Sequence, residues 1–133
     1  MKYLFIFLSF FYFSCSSSSV QYQQANNSLD AGREFIDACL KGDFEKARFF
    51  MLKNSENEAF LKKIEADYRT NDRDRREQYR EASINIAEVS DITENETIIN
   101  YSNSFDKIGK KVKVVKVDNQ WLVDFSYTFN PNL

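Results

Sequence analysis

Residues 114–127 read VVKVDNQWLVDFSY, and the periodicity of this stretch decides the fold. Trp121, Val123, Phe125 and Tyr127 recur at every second position, the spacing of a half-buried strand. Asp118-Asn119 separates this row from a second alternating run, KKVKVVKV at 110–117. Further out, ETIINYSNSF (96–105) and SINIAEV (83–89) alternate as well, divided by turn-forming stretches at 91–95 and 106–109. In the second strand Ile99, Tyr101 and Phe105 share a face. Four short consecutive strands with tight connections predict an antiparallel meander. Adjacent Val114 and Val115 interrupt the alternation of the third strand and predict a bulge there. Trp121, with Val123 and Phe125 beside it, is expected to be largely buried, because a period-2 apolar row needs a covering layer.

Upstream of Ala82 the period is helical. Ser28 is the expected N-cap of a first helix whose apolar arc holds Leu29, Gly32, Phe35, Ile36, Cys39 and Leu40. Gly42 ends it, and Asp43 caps a second helix containing Phe44, Ala47, Phe50 and Met51. A third begins near Glu58, carries Phe60, Leu61, Ile64 and Tyr68 on one side, and continues into the charged run RTNDRDRREQYRE. Helices followed by an antiparallel sheet predict one α+β domain over residues 28–133, with N-terminal helices packed on a curved four-stranded sheet.

The first helix, the KGDFEKA connection (41–47), the charged third helix and the closing VVKVDNQWLVDFSY resemble the nuclear-transport-factor-2-like fold, called cystatin-like in its smaller versions. Lys116, Asp118, Trp121, Val123 and Asp124 match a closing strand that recurs in small bacterial lipoprotein domains of unknown function. The resemblance implies a cone with one open end. In enzymatic relatives that cone holds a hydrophobic ligand and an Asp, His or Tyr acid/base, while many relatives are not enzymes.

Three groups of residues are candidate sites. In a third helix continuous through Arg80, Asp72 and Arg75 fall on the side of Tyr68 and Tyr79, as a polar cavity mouth requires; the competing reading is a break near Thr70-Asn71 that leaves both solvated. Arg69, Arg73, Arg76 and Arg80 make a basic stripe, but Glu65, Asp72 and Glu77 stand four residues from its members and favour a solvated, ion-paired face. Asp124, opposite in phase to Trp121, is a candidate carboxylate acid, which needs burial and a partner such as Tyr101 or Tyr127; the strand phase points it away from Tyr127.

Composition narrows the chemistry. The 133 residues include no histidine, which removes the commonest general base and the commonest zinc ligand. A net charge of −2 gives no support to nucleic-acid binding. No calcium loop, glycine-rich phosphate loop or internal repeat is visible, and no cofactor or metal is expected. Catalysis is therefore not expected, and a binding or accessory module for an envelope protein or a small hydrophobic ligand is. The alternative is an isomerase- or dehydratase-like enzyme with a carboxylate acid/base.

The amino terminus suggests where this module works. Lys2 precedes an apolar run from Tyr3 to Phe13, too short to span a bilayer comfortably, that ends at Ser14-Cys15 and four serines. This resembles a bacterial lipoprotein signal, although Tyr12 and Phe13 stand where that family usually has Leu and a small residue. The resemblance implies removal of residues 1–14 and lipidation of Cys15, with acyl chains such as palmitate anchoring the protein to a membrane of the cell envelope, on the periplasmic face of the outer membrane. Residues 15–27 then form a flexible polar tether, and Cys39 is a small buried hydrophobe without a disulfide partner.

Overall fold

The computed structural model describes residues 19–130; the expected signal peptide and Cys15 lie outside them. In chain order the elements are α1 (Ser28–Lys41), α2 (Phe44–Phe49), α3 (Ser55–Thr70), α4 (Arg73–Glu81), β1 (Ile84–Thr93), β2 (Glu96–Asn103), β3 (Lys110–Val117), β4 (Gln120–Asp124) and α5 (Ser126–Phe129). The strands form one antiparallel sheet in the order β1-β2-β3-β4, as the alternation predicted.

α1 is capped by Asn27, one residue before the expected Ser28: the Asn27 side chain accepts the Asp30 N–H at 2.8 Å. Ser28 is instead drawn toward the sheet, its hydroxyl 2.9 Å from that of Thr97. Gly42 ends the helix with φ 74°, and the Asp43 N–H returns to the Ala38 carbonyl at 2.9 Å, the glycine-terminated stop the sequence indicated. Asp43 then caps α2 by accepting the Lys46 N–H. Past α2, Phe50 and Leu52 pair with Val123 (2.7 and 2.9 Å), covering part of the outer edge of β4. The same α1 presses Ala31, Phe35, Ile36 and Ala38 onto Ile99, Val112, Val114 and Val123 of the sheet. Gly32 makes this approach possible, because a Cβ there would run into Ile99.

Several expectations are corrected. The third strand carries no bulge, since β3 keeps continuous register with both neighbours; the irregularities are in β1, between Ile86 and Glu88 and between Asp91 and Thr93. Val115 breaks the alternation because it faces Leu122 on the outer side of the sheet, where both are half-buried. The last strand stops at Asp124 rather than Tyr127. There the buried Asn57 side chain takes the Ser126 N–H at 2.7 Å, and α5 turns away with Phe129 stacked on Phe60 at 4.4 Å. Tyr127 consequently leaves the tryptophan's face and lies beside Lys113, 5.4 Å from ring to ammonium. Trp121 itself packs against the core beside buried Val123 and Phe125, as the alternation predicted, with part of its ring open under Lys116. Finally, the stretch expected to be a free tether makes contacts from Tyr22 onward: Tyr22 packs on Phe49 at 5.5 Å, and Ala25 lies against the core.

Candidate functional site

Polar residues at inward-facing positions locate the site. Residues 97, 99, 101 and 103 of β2 face the helices, and all four are buried. Ile99 belongs to the core, whereas Tyr101 and Asn103 approach the end of the sheet where the C-terminal half of α1 and the α3–α4 joint leave it uncovered. A cavity of about 300 Å³ opens there. Ile36, Cys39, Leu40, Ile64 and Tyr101 form its floor, and Tyr68, Arg75, Tyr79, Asn103 and Lys110 its rim, together with Asn71 and the exposed carboxylate of Asp67.

Each rim group is held by a neighbour. The Arg75 guanidinium lies 5.6 Å from the centroids of both Tyr79 and Phe105, whose rings meet edge-on at 4.8 Å, and one of its N–H groups points to the Tyr79 hydroxyl at 3.4 Å. This fixes the planar cation while engaging one of its five donors. Tyr68 receives a hydrogen bond from Arg80 Nε (3.2 Å), packs edge-on against Phe44, and fills the space beside Gly42. Asn103 accepts the N–H groups of Phe105 and Asp106 at 3.0 Å each, and its own Nδ2 donates to Asp106 at 2.9 Å. Asp106 in turn accepts the Ile108 N–H and lies 3.5 Å from Lys110 Nζ. Burial works to raise the Asp106 pKa, but the hydrogen bonds from Ile108, Asn103 and Lys110 outweigh it, and the carboxyl sits below its usual range.

The floor is chemically quiet. Desolvation pushes the Cys39 thiol up to about 12, with only Lys110 opposing, so it is a neutral thiol near pH 7 and not a nucleophile. Tyr101 is raised as well, by burial first and then by Cys39 and Asp106, and stays a neutral phenol. Two neutral polar groups in a largely apolar floor, with Arg75 and the Asp106-paired Lys110 at the rim and Asp67 exposed beside them, suit a small molecule with an apolar body and an anionic or strongly polar head. Another cleft, of about 430 Å³, lies on the β4 side between Gln24, Phe49, Leu52 and Trp121 and has Lys53 as its one lining ion.

The structure brings together three of the five pocket residues expected from the sequence: Tyr68, Arg75 and Tyr79. Asp72 is not among them. The helix breaks at Asn71 (ψ 145°), and the Asp72 carboxylate caps α4, accepting the Arg75 N–H at 2.8 Å while exposed to solvent. Asp124 is on the outer face of the sheet, 2.8 Å from the Ser126 hydroxyl that donates to it and 3.8 Å from Lys113 Nζ. Tyr101 is on the opposite face, so the acid and that phenol do not meet. The same break divides the arginine row: Arg69 pairs with Glu65 on α3, while Arg80 on α4 approaches Glu77 of its own helix and reaches back to the Tyr68 hydroxyl of α3. Sequence reasoning missed Cys39, Asn103 and Lys110 as lining residues. The readable signal was phase, since Asn103 and Lys110 are polar at positions that continue the inward rows of Ile99 and Val112. Among the described residues no cluster of His, Cys, Asp or Glu forms a metal site, and no helix is long and apolar enough to cross a membrane.

No protein-family model and no curated protein matches the chain. Among solved structures, an NTF-2-like protein of unknown function from Shewanella oneidensis MR-1 is similar, with 13% sequence identity and a TM-score of 0.50 over 71% of this chain and 89% of that one. At that identity the likeness speaks to architecture alone, and it agrees with helices packed on a curved four-stranded antiparallel sheet: the chain has an NTF-2-like fold.

Proposed function

We propose that the protein is a non-catalytic binding module of the bacterial cell envelope, anchored through lipid on Cys15, which holds a small amphipathic ligand with an anionic head in the mouth of its cone. The observation that carries this reading is the rim itself: Arg75 and Lys110 stand over an apolar floor whose thiol and phenol are both protonated. Acid–base catalysis near pH 7 works best with a group that titrates near that pH. Burial drives Cys39 and Tyr101 away from it, and the one carboxylate lining the cavity, Asp67, is solvent-exposed. The isomerase- or dehydratase-like alternative has nothing comparable in its favour, because Asp124 faces away from the cavity.

Complementation of a deletion strain at equal protein level tests the proposal. Asp124→Asn is expected to restore function fully and Arg75→Ala to restore little; loss of function with Asp124→Asn at unchanged stability revives the enzyme. Anchoring is tested separately by Cys15→Ala, which should change both the mature mass and the partitioning between membrane and soluble fractions, since the acyl chains are lost and processing at Cys15 is blocked. Unchanged mass and partitioning remove the lipoprotein reading.

A further inference from the structure

The β2–β3 hairpin carries Lys107-Ile108-Gly109 in its loop and Lys110-Lys111 at the start of β3, beside the mouth of the cone. Ile108 is 58% exposed, the second most exposed large apolar side chain among the described residues, and no packing explains it. The loop is nonetheless built to hold its shape. Asn103 accepts the N–H groups of Phe105 and Asp106, Asp106 accepts that of Ile108 at 2.9 Å, and Lys107 takes a left-handed φ of 58° to place the isoleucine outward. The loop's single carboxylate is used internally, leaving Lys107 and Lys111 exposed on either side of Ile108. An exposed apolar tip between lysines matches the interface of an anionic bilayer, with the apolar group at the acyl boundary and the ammonium groups at phosphate level.

Two observations say which surface the loop meets. The segment before α1 runs from Asn27 back along α1 and α2, and the Tyr22 hydroxyl reaches Asp43 at 3.4 Å, next to Gly42 and thus toward the end of α1 where Tyr68 lines the mouth. Cys15 is seven residues before Tyr22, a reach of at most ~25 Å at ~3.3–3.6 Å per residue. The opposite end of the sheet also exposes apolar groups, Ile92 at 55% and Val117 at 39%, but it carries exposed Asp91, Glu94 and Asp118 against Lys116, a net negative charge that the same surface would repel. α4 does not alter the balance, since Arg73, Arg75, Arg76 and Arg80 are offset by Asp72, Asp74, Glu77 and Glu81. From this geometry we infer that the hairpin tip from Lys107 to Lys111 is a membrane-contact finger that inserts Ile108 into an anionic bilayer and presents the mouth of the cone to it. The inference rests on the lipid anchor at Cys15 proposed above.

The test uses full-length protein purified from membranes and reconstituted into vesicles of phosphatidylglycerol and phosphatidylethanolamine, with and without bromine on the acyl chains. Ile108→Trp introduces a reporter at the finger, and the native Trp121 reports on the remote end. Bromolipid is expected to quench the added emission and leave that of Trp121 unchanged. The double variant Lys107→Glu with Lys111→Glu, which retains the native tryptophan and isoleucine, should shift the contact equilibrium roughly fivefold per lysine away from the anionic surface, read as weaker protection of Lys110 from amine labelling. Failure of the wild-type chain to float with the vesicles overturns the anchor, and the finger with it. A chain that floats but shows no quenching of the added tryptophan, or quenching of Trp121 instead, overturns the finger alone.

Discussion

The two ends of the sheet are made by the same alternation and finish differently. At the end where α1 begins, the inward polar residue is Thr97, fully consumed by its neighbours: its hydroxyl donates to Asp91 at 2.7 Å and lies 2.9 Å from that of Ser28. Acidic side chains surround this latch, and its polar groups answer one another across α1, β1 and β2. At the other end the inward rows finish in Tyr101, Asn103 and Lys110, and the helical layer stops short because α3 breaks at Asn71. Arg75 and Lys110 are fixed there from behind, by aromatic rings and by Asp106, and face a cavity from the front. Polarity at an inward position thus closes one end and opens the other, according to whether a partner reaches it.

The strongest way to break this comparison is to remove what both ends share. Phe35 is buried at the centre of α1 and meets Phe125 edge-on at 4.9 Å, so Phe35→Ala should cost ~3–5 kcal/mol in urea unfolding and loosen both ends together. A loss confined to one end, seen by amide exchange, would mean that the two do not share a core. Gly42→Ala acts on the mouth: the left-handed φ alone costs ~1–2 kcal/mol, and the new Cβ would lie 2.5 Å from the Tyr68 ring. It should therefore weaken ligand binding beyond its effect on stability. Thr97→Val acts on the latch. Losing its hydroxyl should cost ~1–2 kcal/mol, as a part-buried hydrogen bond to a carboxylate does, with ligand affinity unchanged.

Acid should separate the ends as well. The Asp106 pKa is depressed in the folded protein, so its contribution to stability is fully present above the unfolded value near 3.8 and is lost as pH falls through the folded value below it. Asp106→Asn should flatten that part of an acid titration followed through the mouth, and an unaltered titration would show that the loop is not held by this carboxylate. The smallest expected effect is that of Asp124→Asn, within ~0.5 kcal/mol, because the side chain is partly solvated and its ion pair with Lys113 is long.

What the sequence disclosed follows from how local each cause is. Period-2 alternation placed all four strands, and Gly42 and Asp43 marked the α1–α2 turn, since these signals lie within a few residues of the structure they specify. The end of β4 was not readable: Phe125 and Tyr127 continue the alternation, and the group that diverts the chain is Asn57, 69 residues away. The α3–α4 joint shows the middle case. The helix breaks at Asn71 and leaves Asp72 and Arg75 exposed, as the competing reading had it, yet Tyr68, Arg75 and Tyr79 still line one cavity because α4 restarts under the Asp72 cap and brings Arg75 to Tyr79 and Phe105. Cys39 was read as a core hydrophobe because its neighbours on α1 are apolar; only the missing helical cover makes it part of a cavity floor.

The central claim, that the cone mouth binds an amphipath through its cationic rim, is tested most directly by carbon NMR of carboxyl-labelled dodecanoate added to the full-length protein in lipid nanodiscs. A saturable bound resonance, distinct from that of fatty acid in the bilayer, is expected with the wild type and with Asp124→Asn, and should be lost when Arg75 and Lys110 are both changed to Gln. A bound resonance that survives the double change, or none with the wild type, would contradict the account.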